Sequence, residues 1–258
     1  MHQLSSWLQQ ADVPALPPDQ VHVWLLRLPE AGTGTCEAVL GRLLPKLSGE
    51  ERARAAKFLV APARVQFVVA RAALRYLAGQ YLNSDSNGLV FMQGERGKPA
   101  FRDHQLEFNV SHSGRVALIA FAKFGQVGVD VEQVWEREDP YALAERFFSA
   151  AEVAALSALP VDDRRRAFFW IWTRKEAYIK VRGDGLHLAL NSFDVTCGPD
   201  PSPSLRASRQ HPADVQRLCM FNIAVDDEYP ASLIAARLLD SEQNCPGLQT
   251  LELPLEFL

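Results

Sequence analysis

The chain has 258 residues, a formal net charge of −4 at pH 7, 48% hydrophobic residues and 22% charged residues. These values are typical of a soluble globular protein with one large or two small domains, and the chain is long enough to bury a proper core. The sequence does not open on a basic segment followed by an apolar run, and it contains no stretch of about 18 apolar residues. We therefore predict neither a secretory leader nor a membrane span, and we expect a cytoplasmic protein.

The cysteines give no sign of a shared site. Cys36, Cys197, Cys219 and Cys245 lie far apart in the sequence, without the close pairs that are typical of a zinc site or a disulfide framework. We therefore expect all of them to be free thiols.

Charge is distributed unevenly along the chain. Residues 41–76 contain eight bases and two acids, whereas residues 125–163 contain nine acids and two bases. A basic and an acidic segment in one protein can hold the two ends of a polyphosphate ligand, the bases directly and the acids through a metal ion. Solvated helix faces would give the same counts, so this alternative stays open.

In chain order, the first predicted element is a strand at residues 21–26, which are rich in branched and aromatic side chains. Ser48, with Glu51 three residues later, has the spacing of a capping box and predicts a helix start. Apolar positions with helical periodicity then predict a long amphipathic helix over residues 63–81, with arginines on its polar side.

Two polar stretches follow this helix. Residues 94–101 combine two glycines and a proline around Lys98, which predicts a tight turn that either offers Lys98 to a ligand or only connects two elements. Residues 109–115 bring together hydroxyl, imidazole and guanidinium donors suited to phosphate oxygens, and we expect them in the bend between two strands. A catalytic serine is the alternative for this stretch, but the sequence has no Gly-x-Ser-x-Gly elbow.

Residues 126–132 predict a short strand with two different faces. Valines at every second position form an apolar face, and the opposite face carries Gly128, Asp130 and Glu132. The two carboxylates would stand about 7 Å apart and repel each other unless a cation lies between them, which suits a magnesium ion. Gly128 would leave room for a ligand beside them. The alternative is an edge strand whose outer face is merely solvated.

The helical stretch at residues 168–180 carries polar groups within an apolar sequence. Trp172, Glu176 and Lys180 are four residues apart and share one face. Because the turn around Glu176 is nearly all apolar, we expect its carboxylate to be partly buried and to need a cation, either Lys180 or a metal ion. An ordinary surface ion pair ahead of a helix stop at Gly183 is the alternative.

The second half of the sequence repeats the order of the first. A second Ser-x-x-Glu pair at Ser149 matches the pair at Ser48 at an offset of 101 residues, and the same offset aligns the two long helical stretches. We therefore predict an α+β fold, a pseudo-twofold tandem of two similar α+β subdomains divided into residues 1–124 and 125–258. A ligand crevice between the halves would lie beside the acidic strand.

Together these motifs resemble those of the Sfp-type 4'-phosphopantetheinyl transferases. The Gly-x-Asp-x-Glu strand of that family corresponds to residues 128–132, and its Trp-x-x-Lys-Glu-Ala-x-x-Lys helix corresponds to residues 172–180. Residues 97–99 and 109–113 match further family motifs in the same order. The resemblance implies a pseudo-twofold α+β fold, Mg²⁺ as cofactor and coenzyme A as substrate. The implied reaction transfers the phosphopantetheine arm to a serine of an apo acyl or peptidyl carrier protein and releases 3',5'-ADP.

The resemblance also implies roles for individual residues. Asp130, Glu132 and Glu176 would hold the metal ion, and Glu176 would also take the proton from the carrier serine. Lys180 would stabilise the leaving group. The candidates for binding the coenzyme are Arg64, Arg71, Lys98, Pro99, Ser111, His112 and Lys180.

The chain departs from the family pattern where some relatives place lysines for the 3'-phosphate of coenzyme A. At these positions it has Glu51, Arg54 and Lys57. Arg64 and Arg71 are therefore our candidates for this phosphate.

Two other functions stay open from the sequence. One is a non-catalytic module that binds coenzyme A or a carrier protein, and the other is a magnesium-dependent phosphohydrolase. The presence of Asp130, Glu176 and Lys180 together favours the transferase over the binding module. The sequence does not distinguish carriers of fatty-acid, polyketide and nonribosomal-peptide synthesis, and we expect neither a nucleic acid nor a membrane as a partner.

Overall fold

The computed structural model describes residues 13–93, 98–101, 106–136, 139–183, 185, 188–238 and 245–258. Its first elements are β1 (Gln20–Arg27), α1 (Gly34–Leu43), α2 (Gly49–Ala55), α3 (Ala61–Leu82), β2 (Phe91–Gln93), β3 (Pro99–Phe101), β4 (Glu107–Ser113) and β5 (Val116–Ala122). They are followed by β6 (Val127–Val131), α4 (Pro140–Phe147), α5 (Ala150–Ser157), α6 (Val161–Arg182), β7 (Phe193–Val195), β8 (Leu205–Ser208), α7 (Asp214–Arg217), β9 (Leu218–Asn222), β10 (Ala231–Ala236) and β11 (Gly247–Glu252). The predicted first strand and first long helix are confirmed as β1 and α3.

The strands form two larger sheets that share one internal order. The first sheet has the order β11-β1-β5-β4, and the second has the order β6-β10-β9. Neighbours are antiparallel along β1, β5 and β4, and again along β6, β10 and β9. Each half also has a two-stranded antiparallel pair, β2 with β3 and β7 with β8. This repetition confirms the predicted pseudo-twofold α+β fold.

The long helices α3 and α6 correspond to each other, and each has 22 residues. Both end at a residue in the left-handed conformation, Asn83 after α3 and Gly183 after α6. These two positions differ by 100 residues, whereas the capping boxes at Ser48 and Ser149 differ by 101. The single predicted offset of 101 is therefore wrong for the long helices, because the second half has one residue fewer between its capping box and its long helix.

Three hydrophobic clusters hold the elements together. The first packs α1 and α3 against the first sheet, and the second packs α4, α5 and α6 against the second sheet. The third lies between the sheets, where the valines of β6 meet side chains of β1, β5 and β10, as the predicted apolar face requires. Across the described residues, we find no helix with the length and apolarity needed to cross a lipid bilayer.

The C-terminal segment crosses from the second half back to the first. β11 is parallel to β1 and covers the outer edge of the first sheet. Leu253 and Leu258 pack into the first hydrophobic cluster. The division into residues 1–124 and 125–258 stays a prediction, and residues 247–258 lie in space with the first half.

A disulfide joins this crossing segment to the second sheet. Cys219 in β9 is bonded to Cys245, just before β11, and their Cα atoms are 5.6 Å apart. The expectation of free thiols is therefore wrong for this pair, whereas Cys36 and Cys197 are free. The two bonded residues are 26 positions apart in the sequence, and the fold brings them within bonding distance. The spacing of the cysteines in the sequence therefore could not have predicted the bond.

Candidate active site

Strand β6 lies between β10 and β4 and contacts the two neighbours in different ways. Its backbone pairs with β10 in a regular antiparallel ladder. On the other side, the amide oxygen of Asn109 accepts a hydrogen bond from Val129 N at 2.9 Å, and Oγ of Ser113 accepts one from Gln133 N at 3.0 Å. All residues of β6 are buried, so the alternative of a solvated edge strand is wrong.

These contacts explain the polar residues in the middle of β4. The expectation that residues 109–115 form a bend is wrong for residues 109–113, which lie inside β4. The turn follows them, at Gly114 and Arg115. Amide and hydroxyl oxygens at alternate positions of β4 satisfy backbone donors of β6, and this pairing between strands is not visible in the sequence of β4 alone.

Gly128 sets the distance between β6 and α6. A Cβ atom at this position would lie 2.2 Å from Ala177 O and 2.4 Å from Val181 N. The prediction that Gly128 leaves room for a ligand is therefore wrong, because the backbone of α6 fills that space. The close approach brings the last turns of α6, with Glu176 and Lys180, against the acidic face of β6.

Lys180 and Asp130 form the centre of this contact. The Lys180 ammonium is 2.6 Å from Asp130 Oδ1 and donates to Ser111 Oγ at 2.9 Å and to Val129 O at 3.1 Å. The Ser111 hydroxyl in turn donates to Asp130 Oδ1 at 2.8 Å. Asp130 is only 3% exposed, and its second oxygen, Oδ2, is buried without a hydrogen-bond partner among the described residues.

Glu132 and Glu176 belong to the same electrostatic cluster. Burial raises the pKa of Glu132 to about 7, and the charges of Asp130 and Glu176 add to this shift. The Ser113 hydroxyl opposes it by donating to Glu132 Oε2 at 2.7 Å. Burial is also the main cause that raises the pKa of Glu176, followed by Asp130. Three partly or fully buried carboxylates thus repel one another, and a cation between them would relieve the repulsion.

The fit of this cluster to a magnesium ion rests on Asp130 Oδ2. In the part of the chain that the structure describes, no three carboxylate, imidazole or thiol groups stand ready as a metal centre. Lys180 neutralises Asp130 Oδ1, but Oδ2 keeps an unused lone pair in a buried position. Carboxylate oxygens are hard ligands of the kind that Mg²⁺ prefers, so the residues present fit the ion.

A groove lies beside the acidic cluster, and its lining includes His112, whose pKa responds to the charges of Lys180 and Asp130. Its wide end is a cavity of about 830 Å³ between α2, α3 and the segment before β2. A narrower cavity of about 220 Å³ lies between α3 and β4, and Arg54, Arg71 and Pro99 border both cavities. His112 borders the narrow end and follows Ser111, which contacts Asp130. The wide end has the size of a pocket for a nucleotide-sized molecule.

Cationic side chains determine the electrostatics of this groove. Arg71 lies over the ring of Phe91, 4.7 Å from its centroid, and its Nε is 3.1 Å from Glu51 Oε1. Burial lowers the pKa of Arg71, and the charge of Glu51 opposes this shift. Burial also lowers the pKa of His112, with the charge of Lys180 as the second cause. The groove therefore offers guanidinium donors, which suit phosphate oxygens, at its wide end and an imidazole near the acids.

Comparison with known proteins identifies the family. The model of the 4'-phosphopantetheinyl transferase superfamily matches residues 126–234, and the model described as 4'-phosphopantetheinyl transferase, N-terminal, matches residues 36–123. The 4'-phosphopantetheinyl transferase HetI of Nostoc sp. (strain PCC 7120) is 34% identical over 207 residues, which cover 79% of this chain and 85% of HetI. The chain belongs to the 4'-phosphopantetheinyl transferase family.

Two further transferases are similar over most of the chain. The 4'-phosphopantetheinyl transferase psf-1 of Bacillus pumilus is 29% identical, and the alignment covers 78% of this chain and 87% of psf-1. The 4'-phosphopantetheinyl transferase Sfp of Bacillus subtilis (strain 168) is 30% identical, with 66% of this chain and 75% of Sfp covered. The resemblance inferred from the motifs is thereby confirmed, and the chain is a transferase of this class.

Only some of the residues that were predicted to bind coenzyme A border the groove of the transferase. Pro99, Arg71 and His112 border the groove. Arg64 borders neither cavity, and its Nε is buried without a hydrogen-bond partner among the described residues. Lys98 donates to Val127 O at 3.1 Å, and burial lowers its pKa. Residues 94–97 of the predicted turn lie outside the described residues.

Arg54 is the groove residue that sequence reasoning did not choose. It borders both cavities of the transferase, and its guanidinium lies over the ring of Phe67, 5.1 Å from the centroid. The spacing from Glu51 to Arg54 would have indicated this position, because residues three apart in a helix share a face.

Proposed function

We propose that this transferase moves the 4'-phosphopantetheine arm of coenzyme A to a serine of an apo acyl or peptidyl carrier protein, with Mg²⁺, and releases 3',5'-ADP. One observation carries the proposal: an arginine-lined groove reaches His112, whose pKa responds to the charges of Lys180 and Asp130, and Asp130 Oδ2 has no partner among the described residues. This arrangement suits a ligand with a phosphate-rich end and a reacting pyrophosphate.

The groove would hold the nucleotide part of coenzyme A. Arg54 and Arg71 offer guanidinium donors for its 3'-phosphate, whereas Arg64, the other candidate from the sequence, borders neither cavity. Lys98 and Pro99 border the nucleotide. His112 lies at the narrow end, Ser111 contacts Asp130, and both would contact the phosphates near the acids.

Asp130, Glu132 and Glu176 would hold the magnesium ion. When bound, the ion supplies positive charge that neutralises the phosphate oxygens in the transition state. Asp130 would contribute its buried Oδ2, and Glu132 and Glu176 would contribute carboxylates whose raised pKa values fall once a cation is near.

Glu176 would act as the general base. With a cation nearby its carboxylate is ionised, and an ionised carboxylate beside the reacting phosphate can accept a proton. It would take the proton of the carrier serine while the serine oxygen bonds to the β-phosphorus of coenzyme A. The bond from that phosphorus to the oxygen of the leaving 3',5'-ADP breaks, and Lys180, which is partly exposed, would donate to the charge that builds there.

The carrier would be a protein or domain of fatty-acid, polyketide or nonribosomal-peptide synthesis. We also propose that the reaction takes place in the cytoplasm. The test is incubation with coenzyme A, Mg²⁺ and an apo carrier, followed by mass spectrometry of both substrates. A carrier with an added phosphopantetheine supports the transferase. Unchanged substrates would favour a binding module, and cleaved coenzyme A with an unmodified carrier would favour a phosphohydrolase.

A further inference from the structure

Two buried glutamates occupy matching positions in the two halves of the fold. Glu51 and Glu152 are each the third residue of a capping box, in α2 and α5. Oε2 of Glu51 accepts from Ser48 N at 2.8 Å and is 2.6 Å from Arg75 Nε. Oε2 of Glu152 accepts from its own capping serine at 3.0 Å and is 2.8 Å from Lys175 Nζ. In both halves, Oε2 therefore accepts from the capping serine and pairs with a cation of the long helix.

The other carboxylate oxygen differs between the halves. Oε1 of Glu51 is 3.1 Å from Nε of Arg71, which borders both cavities of the groove. Oε1 of Glu152 accepts instead from the backbone of Val195 at 2.8 Å. At the α6 position that matches Arg71, 100 residues on, stands the buried Ile171.

The cavity beside Glu152 also lacks an arginine at the position that matches a groove arginine. It measures about 280 Å³, and the α5 position that matches Arg54 is Ala155. The duplicated half thus keeps the capping box and the buried ion pair but has neither arginine at the matching positions. Glu51 thus contacts two arginines that border the wide cavity, Arg75 through Oε2 and Arg71 through Oε1, and the contact with Arg71 is the one without a counterpart in the second half.

We propose that Glu51 is a positioning residue for coenzyme A, whose Oε1 holds the Arg71 guanidinium in place on the wall of the groove. Arg71 is held from two sides, by this carboxylate and by the face of Phe91. A side chain with four rotatable bonds loses entropy when it binds a phosphate, and holding it beforehand reduces that loss. The proposal rests on the proposed function, because it takes coenzyme A as the ligand of the groove.

The test is Glu51→Gln, with Glu152→Gln as the matched control. Glutamine keeps the capping box but removes the charge that holds Arg71. We expect Glu51→Gln to raise the KM and the Kd for coenzyme A by roughly five- to tenfold, the size of one weakened charge-assisted contact, with kcat within about twofold. We expect Glu152→Gln to lower the thermal midpoint without changing either constant. If Glu152→Gln does not fold, Leu156→Ala in the same helix provides the control of reduced stability.

A double variant tests whether Glu51 acts through Arg71. We expect Arg71→Ala to weaken coenzyme A binding, and Glu51→Gln to add less than about twofold in that background. An unchanged Kd in Glu51→Gln, an equal rise in Glu152→Gln, or multiplied effects in the double variant would each overturn the proposal.

Direct calorimetric binding of coenzyme A separates this proposal from the proposed function. If the wild-type protein binds coenzyme A but modifies no carrier, the transfer function fails while the Kd series still decides the role of Glu51. If the wild-type protein does not bind coenzyme A, both proposals are overturned.

Discussion

Lys180 partly neutralises the negative charge of the acidic cluster. Its ammonium pairs with one oxygen of Asp130 and opposes the raised pKa of both Glu132 and Glu176. Among the residues that the structure describes, Lys180 is the cation that acts on all three carboxylates, so the cluster has excess negative charge when all three are ionised. The chemistry that we propose depends on this excess.

Glu176→Gln should reduce transfer to a carrier by roughly 10²- to 10⁴-fold, the usual contribution of a general base. Glutamine keeps the shape of the side chain but cannot take a proton, so we expect coenzyme A to bind with little change. The measurement is single-turnover transfer together with calorimetric binding of coenzyme A. Glu37→Gln, at an exposed position of α1, is the control. Wild-type turnover in Glu176→Gln would remove Glu176 from the mechanism.

The raised pKa of Glu132 predicts a pH dependence of stability in the metal-free protein. Because its folded pKa is about 7 and the ordinary pKa of a glutamate is 4.5, the folded state holds this proton more strongly, and stability is lost as pH rises from about 4.5 to 7. We expect Glu132→Gln to lack this loss, so that the variant gains stability relative to the wild type over that interval. Urea unfolding at several pH values in EDTA measures the difference. A difference that does not vary with pH would show that Glu132 is not perturbed.

The contact between β6 and α6 is the element-level feature on which the site depends. Gly128 allows two backbone segments to meet, and Lys180 on α6 can therefore reach Asp130 on β6. The fold thus sets the geometry of the acids through a missing side chain.

Gly128→Ala should destabilise the protein by about 1–3 kcal/mol or more, because the new methyl group meets backbone atoms that cannot turn away. We also expect carrier transfer to fall, since α6 must move away from β6. Gly41→Ala is the control, because a Cβ there meets nothing within 4 Å and alanine favours the helix. The measurements are chemical unfolding and transfer rate. Equal behaviour of the two variants would contradict the close packing.

The elements themselves were largely predictable from the sequence, because their signals are local. Capping boxes at Ser48 and Ser149 and the helix stop at Gly183 depend on a few neighbouring residues, and each is found where it was predicted. The roles of Gly128 and of the polar residues in β4 were not predictable, because they depend on which segment lies opposite. For the same reason the sequence offered Arg64 for the groove, whereas the fold brings Arg54 to it.

On the scale of the whole molecule, the two halves are tied together by the C-terminal segment. β11 completes the first sheet, and Cys219–Cys245 bonds the approach to β11 to the second sheet. Arg42 and Lys46 of the first half also donate to the backbone carbonyls of Leu255 and Leu258. The duplicated halves are therefore not independent units in space.

Reduction of Cys219–Cys245 should lower the free energy of unfolding by about 3 kcal/mol, since the bond closes a loop of 26 residues in the unfolded chain. Urea unfolding with and without a reductant measures this, and Cys219→Ser should reproduce the reduced protein. Cys197→Ser is the control, because this thiol is free. A midpoint that does not respond to reductant, with Cys219 and Cys245 both reactive towards a thiol reagent after unfolding without reductant, would contradict the bond.

The position of β11 also matters during synthesis. The first half of the chain emerges from the ribosome first. β11, which covers the outer edge of β1, emerges only after β10 has been translated. Until then β1 presents an open edge to other nascent chains, and such edges promote misassembly. We therefore expect the newly made protein to need protection by chaperones until β11 has been made, and residues 1–124 expressed alone to aggregate.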